Sequence, residues 1–266
     1  MSTSPTHANR APARRPAHGL TALALLAVAV IVVLTLGTLA AVALRAEAPV
    51  ALRASDWAAI RFTLWQAALS AAISVVLAIP VARGLARRRF WGRGVLITAL
   101  GAPFLLPVIV AAMGLIAIFG RNGAVNSALA ALGLPEIAIY GPQGVILAHV
   151  FLNLPLATRL ILQGWLSIPA ERFRLAESLG CGPRDIARLL EWPMLRAVVP
   201  GAAVVIFAVC LTSFAVVLAL GGGPRATTVE LAIYQAFRFD FDLGKAALLG
   251  LVQFALTAAA AVLAFG

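Results

Sequence analysis

Six apolar runs, each about as long as a bilayer's hydrocarbon core is thick, alternate with short polar stretches, and that pattern leaves this chain few folds to choose from. The runs cover residues 21–44, 62–81, 95–119, 144–162, 198–220 and 245–265. Hydrocarbon offers no water to backbone N–H and C=O groups, so a crossing segment must be a helix of about 20 apolar residues or part of a closed barrel. With 62% hydrophobic and 12% charged residues and a mean hydropathy of +0.99, the 266 residues leave no room for a separate catalytic domain. The expected fold class is an all-α polytopic membrane protein with six transmembrane helices. Cys181 and Cys210 are isolated thiols without metal-ligand spacing, so no metal site is expected.

The basic residues set the topology. Arg10, Arg14 and Arg15 precede the first run, which places the polar N-terminus, residues 1–20, in the cytoplasm. A cleaved signal peptide is the competing reading, because Ala46-Glu47-Ala48 loosely resembles a cleavage site. Its apolar region would run about 7–15 residues, and residues 21–44 exceed that. The second run ends at Pro80, before the dense cluster Arg83, Arg87, Arg88, Arg89 and Arg93. The third leads outward to a loop punctuated by Asn122-Gly123, Gly133, Pro135 and Gly141-Pro142, with room for short helical turns. Of the 21 Lys and Arg, 14 then lie inside and 7 outside; acids divide 4 and 6, giving +10 inside and +1 outside. The pI near 11.5 is therefore topological, directed at membrane lipid and not at a nucleic acid. The domain layout is residues 1–20 as the N-terminus, 21–56 as the first helix with its outer loop, and 57–266 as a five-helix unit that includes a cytoplasmic loop, 164–197.

Within that loop, residues 171–195 form a polar helix-breaker-helix segment between apolar runs. On a helical wheel Glu171, Arg174, Glu177 and Ser178 share one stripe, and Phe173, Leu175, Ala176 and Leu179 lie opposite, an amphipathic surface helix. Pro169 suits its first turn, Glu171 complements the helix dipole, and Gly180 is placed for a left-handed stop. Gly182-Pro183 starts a second helix, expected to close before Pro193, so that the segment forms an L-shaped protrusion able to transmit a push.

This segment resembles the cytoplasmic EAA loop of binding-protein-dependent ABC-transporter permeases, with Ala176, Gly180 and Pro193 at matching places. It departs at Arg174, where that family carries Glu; Glu171 lies one turn earlier. The stretches FTLWQAALSAAISVVLAIPVARGLARRRF, ILAHVFLNLPLATRLIL and SFAVVLALGGGPRATTVELAIYQAF resemble the N-terminal half of thiamine-transporter permeases, with iron(III) permeases as relatives, which implies thiamine or its phosphates as cargo and iron(III) or another small solute as the alternative. The resemblance implies the type I importer permease fold in a bacterial inner membrane and a coupling role for Glu171, Arg174, Ala176, Glu177, Gly180 and Pro193. It also implies two separate ATP-binding subunits that hold ATP and Mg, a periplasmic thiamine-binding protein, and alternating access driven by ATP. This chain has no cofactor of its own by that reading: its single lysine, Lys245, precedes Ala246, so it lacks the Gly-Lys-Ser/Thr of a P-loop. Permeases of this kind carry two six-helix halves in one chain; a second half is expected from a longer form of this chain or from another copy.

Other residues stand between two readings. His149 and Asn153 lie four apart on one face of the fourth run, suited to a substrate path or to interhelical hydrogen bonds. Thr212 and Ser213, beside Cys210, line a pathway or sit at a close-packing site. Pro80 and Pro155 kink their helices or mark packing boundaries, and Arg159 snorkels to headgroups. Gly221-Gly222-Gly223-Pro224 ends the fifth run as a candidate outer gate, followed by an amphipathic helix over 227–239 and by Asp240 and Asp242, acids suited to a cation. An ion-coupled secondary transporter would place paired ionisable residues mid-membrane, and an intramembrane enzyme would need HExxH, GxSxG or close acid pairs; the runs contain none of these.

Overall fold

The computed structural model describes residues 18–45, 51–101 and 106–265. Arg10, Arg14, Arg15 and Ala46-Glu47-Ala48 lie outside the described residues. Among the described residues twelve α-helices follow one another: α1 His18–Arg45, α2 Ala54–Arg87, α3 Arg93–Ala99, α4 Val108–Phe119, α5 Ala124–Ala131, α6 Pro142–Leu166, α7 Ala170–Ser178, α8 Pro183–Ile186, α9 Trp192–Leu211, α10 Phe214–Leu220, α11 Val229–Arg238 and α12 Leu243–Phe265. A π-helical turn, Ala187–Glu191, joins α8 to α9, and a short 3-10 turn, Pro224–Ala226, precedes α11. No strand occurs among the described residues. Among the described residues five stretches are long and apolar enough to cross a membrane, 54–87, 108–131, 142–166, 183–211 and 243–263, and α1 adds a 28-residue helix whose described apolar part is Ala22–Thr38. This is a multi-pass membrane protein.

The bundle is built around α2, which packs along α6 and α9; α6 also packs on α9, α12 on α9 and α11, and α1 on α12. Helices in lipid gain nothing from excluding water, so close backbone approach decides which faces meet. The contact face is accordingly made of small residues: Ala67, Ala71, Ala78 and Ala82 of α2 and Ala157 of α6 are buried against Ile161 and Ile206. At Gly164 a Cβ would stand 2.7 Å from Met194 Sδ and 2.9 Å from Val198 Cγ2, so α6 touches α9 through a residue without a side chain. A second cluster, Ala112 and Leu115 of α4, Val145 and Ala148 of α6, and Val217 and Leu220 of α10, closes the other end.

Four expectations are corrected. The second run does not end at Pro80; α2 continues through it to Arg87, because the turns beyond pack Ala82 and Leu85 into the core. The third run is not one helix: α3 and α4 are separate, and α4 starts from Pro107 in extended geometry. The fifth run breaks at Thr212 and Ser213. The second helix of the polar segment runs into the fifth run as expected but does not close before Pro193, because the π-turn Ala187–Glu191 carries the backbone helically into α9. Residues 183–211 thus form one continuous rod through the π-turn.

Candidate functional site

At one end of the bundle, α7 ends as expected. Gly180 has φ +74°, its N–H donates to Glu177 O at 3.0 Å, and Cys181 N–H donates to Ala176 O at 3.0 Å, which together form a Schellman stop. Asp185 Oδ2 then accepts from Gly182 N–H at 3.0 Å and opens α8. Glu171, Arg174 and Glu177 are exposed, as their stripe requires, and take part in no ion pair among the described residues. The opposite stripe is only half covered. Ala176 is buried and Phe173 half-buried, whereas Leu175 and Leu179 are 61% and 72% exposed.

Glu191 anchors this segment. The π-turn carries it inward until its side chain is 4% exposed, where Oε2 accepts from Arg83 Nε at 2.8 Å and Oε1 stands 3.6 Å from Arg87 Nε. The first contact is a charge-assisted hydrogen bond; the second is an ion pair too long to be one. Arg87 also lies 4.6 Å from the ring centroid of Phe173. The basic end of α2 therefore holds both halves of the polar segment, and the cluster 83–93 shares an end of the bundle with 171–195, as the charge pattern required.

The break in the fifth run lies deeper. Helix α9 stops at Leu211, leaving the carbonyls of Cys210 and Leu211 without helical partners in a buried place, where an orphan carbonyl is costly. Two buried glutamines answer it: Gln66 Nε2 of α2 donates to Cys210 O and Gln253 Nε2 of α12 to Leu211 O, each at 2.9 Å. Neither glutamine was singled out in the sequence reading, although each stands as a polar residue inside an apolar run.

Beside the break is a cavity of about 420 Å³ that brings together the four residues proposed for a pathway: His149, Asn153, Thr212 and Ser213. That volume lies within the range of about 300–1,000 Å³ typical of small-molecule sites. His149 is 2% exposed; its Nδ1 lies 3.5 Å from Ser70 Oγ and its Nε2 has no partner among the described residues. Asn153 donates to Cys210 Sγ at 3.3 Å. So one face of α6 serves both readings offered by the spacing, since its polar groups bond across helices and line a cavity.

Glu230 of α11, missed in the sequence, is the cavity's carboxylate. Burial pushes its carboxyl above the ordinary glutamate range, against the backbone N–H groups of Phe214 and Ser213, which donate to it and pull it down. Helix α11 falls within the predicted 227–239. Thr228 Oγ1 accepts from Leu231 N–H at 3.5 Å, and Thr63 of α2 accepts from Val229 N–H at 3.0 Å. The stretch Gly221-Gly222-Gly223 packs on the α5–α6 connection. Gly141 N–H donates to Leu220 O at 2.8 Å, and a Cβ on Gly222, φ +66°, would meet Tyr140 Cβ at 3.0 Å. Asp240 and Asp242 do not line the cavity; Asp242 Oδ1 instead accepts from Lys245 N–H at 2.8 Å at the start of α12.

No family model matches the chain. It is 48% identical over 194 residues to the thiamine transport system permease protein of Brucella abortus (strain 2308), covering 72% of this chain and 36% of that protein. It is 50% identical over 189 residues to the corresponding protein of Salmonella typhimurium, covering 71% and 35%. The chain thus spans about a third of the length of these relatives. Among solved structures, a bacterial alginate ABC transporter in complex with an alginate-bound periplasmic protein superposes with a TM-score of 0.77 at 15% identity, over 92% of each chain. The chain has the fold of ABC-transporter permeases and is similar, over nearly three quarters of its length, to the thiamine transport system permease proteins.

Proposed function

We propose that this chain forms half of the translocation pathway of an ATP-driven, binding-protein-dependent thiamine importer in a bacterial inner membrane. The observation that carries the reading is the polar segment 171–195. It has a rigid left-handed stop at Gly180, a buried ionic anchor at Glu191, and an apolar edge, Leu175 and Leu179, left open outside the spans. An open apolar edge on a short anchored helix suits docking into the groove of another subunit. Separate ATP-binding subunits, holding ATP and Mg, would grip it, with Glu171, Arg174, Ala176, Glu177, Gly180 and Pro193 in the coupling segment. The N-terminus and the cluster 83–93 would then face the cytoplasm, and Gly221 to Pro224 would close the periplasmic mouth, where a thiamine-binding protein docks. The named relatives support thiamine as cargo, and their greater length supports a second permease half in the same longer chain or another copy.

The test is uptake of labelled thiamine by vesicles holding the full-length permease, its ATP-binding subunits and its binding protein, with and without internal ATP and with iron(III) as competitor. ATP-dependent uptake that iron(III) leaves unchanged is expected. Iron-selective uptake would replace the cargo, and uptake driven by an ion gradient without ATP would overturn the mechanism.

A further inference from the structure

Glu230 borders two cavities. One is the chamber at the α9–α10 break, which it shares with His149 and Asn153; the other, about 420 Å³, runs along α11 and α12 past Tyr234, Phe237 and Gln253. Phe214 lines both, so these two residues form the partition between them. The partition is aromatic as well as acidic. The Phe214 and Tyr234 rings lie 5.2 Å apart at 58°, and Tyr234 meets Phe239 edge-on at 5.8 Å. Three polar atoms here are buried without partners among the described residues: Glu230 Oε2, Ser213 Oγ and His149 Nε2, the last on a residue 2% exposed. Buried polar atoms are ordinarily bonded, and unbonded ones bordering a chamber mark a place where something else supplies the bond.

The chemistry selects the visitor. A single carboxylate at the edge of low-dielectric surroundings favours one positive charge, since a second would be left uncompensated. Aromatic faces beside it favour a cation that is flat and weakly hydrated. Beyond the partition, an amide and an imidazole offer hydrogen bonds to a polar ring. We infer that Glu230, flanked by the Phe214–Tyr234 pair, is the selectivity point at which a monocationic heteroaromatic solute passes from the α11–α12 cavity into the His149–Asn153 chamber. This rests on the import reading above, but it concerns the charge of the cargo and not its name.

The test uses the permease assembled with its ATP-binding subunits in nanodiscs, with two probes that share one ring and differ only in an N-methyl group and the charge it brings: the 3,4-dimethyl-5-(2-hydroxyethyl)thiazolium cation and the neutral 4-methyl-5-(2-hydroxyethyl)thiazole. Equilibrium binding is measured for the native complex, for Glu230→Gln, and for Asp240→Asn, whose carboxylate lies off the cavity. The native complex and Asp240→Asn are expected to bind the cation at least tenfold more tightly, and Glu230→Gln to lose that preference while retaining its unfolding temperature. A native complex without cation preference, or a Glu230→Gln complex that keeps it, overturns the inference. Thiamine uptake by the native complex in sealed vesicles, with its binding protein outside, reads the other question separately. Cation preference without uptake leaves Glu230 in place and removes thiamine; uptake without cation preference does the reverse.

Discussion

Breaking the Glu191 anchor from its two sides should have unequal consequences, because the charges differ in their access to water. The Glu191 side chain is 4% exposed, whereas Arg83 and Arg87 are 49% and 35% exposed. With both arginines replaced by Met, which keeps much of the aliphatic stem, the carboxylate stays buried without a counter-charge, a loss of about 3–5 kcal/mol. With Glu191→Gln the two guanidinium groups reach solvent and the amide occupies the same volume. That change resembles loss of an exposed pair, about 0–1 kcal/mol. At about 2–4 °C per kcal/mol for chains of this order of size, the unfolding temperature falls by about 6–20 °C for the arginine pair and by under about 4 °C for Glu191→Gln. Intrinsic tryptophan fluorescence of the assembled complex in nanodiscs reads both shifts. Adding Glu191→Gln to the arginine pair should restore most of the loss, since the harm lies in the orphaned charge and not in the missing bond. If Glu191→Gln proves as damaging as the arginine pair, the reasoning from burial is wrong.

Gly164→Val should wedge α6 from α9, because its first carbon already meets Met194 and Val198 within 3 Å; a loss of about 1–3 kcal/mol is expected, while Gly201→Ala, with nothing within 4 Å, should be harmless by the same unfolding assay. Gln66→Leu and Gln253→Leu should each cost about 1–3 kcal/mol by orphaning a carbonyl at the α9–α10 break. The double variant should depart from additivity, as the two sites share one break; a strictly additive result would show that the glutamines act separately. Gly180→Ala meets no atom within 4 Å, so its penalty is backbone strain alone, about 1–2 kcal/mol, and should appear as a lower ratio of uptake to ATP hydrolysis; Gly180→Asn, better tolerated in the left-handed region, should retain more of it.

What was legible in the sequence was whatever one segment decides for itself. Apolar length gave the spans, charge gave the two ends, and Gly180, two residues past the last turn of α7, gave the stop. The His149–Asn153 face followed from a spacing of four. Breaks and continuities were not legible where a neighbour decides them. Nothing in the run from Val198 to Leu220 resembles a breaker at Thr212-Ser213, because the break is held open by glutamines 144 and 42 residues away in the chain. Pro193 looked like a terminator, but a proline in a first turn is compatible with helix, and the π-turn upstream absorbs the join. Glu230 was hidden for a related reason: a lone acid on an amphipathic helix is ordinarily solvated, and only the packing of α10 brings it to the cavity.

The continuity of α8, the π-turn and α9 changes how a push at the polar segment would travel. A helix end before Pro193 would dissipate it locally, since a flexible joint turns displacement into bending. The 29-residue rod from Pro183 to Leu211 is about 43 Å long, and its far end is the broken turn beside the cavity. A rod pinned along α2 and α6 has little freedom to translate, so force at Glu191 becomes tilt, and tilt displaces most at the ends. At that far end the carbonyls of Cys210 and Leu211 hang on two side-chain hydrogen bonds instead of a helical ladder, the cheapest bonds along the rod to exchange. The break is thus where a bundle of close-packed alanines is bridged by two side-chain hydrogen bonds. The residues that line it, His149, Asn153, Thr212 and Ser213, are those whose surroundings such a tilt would alter first.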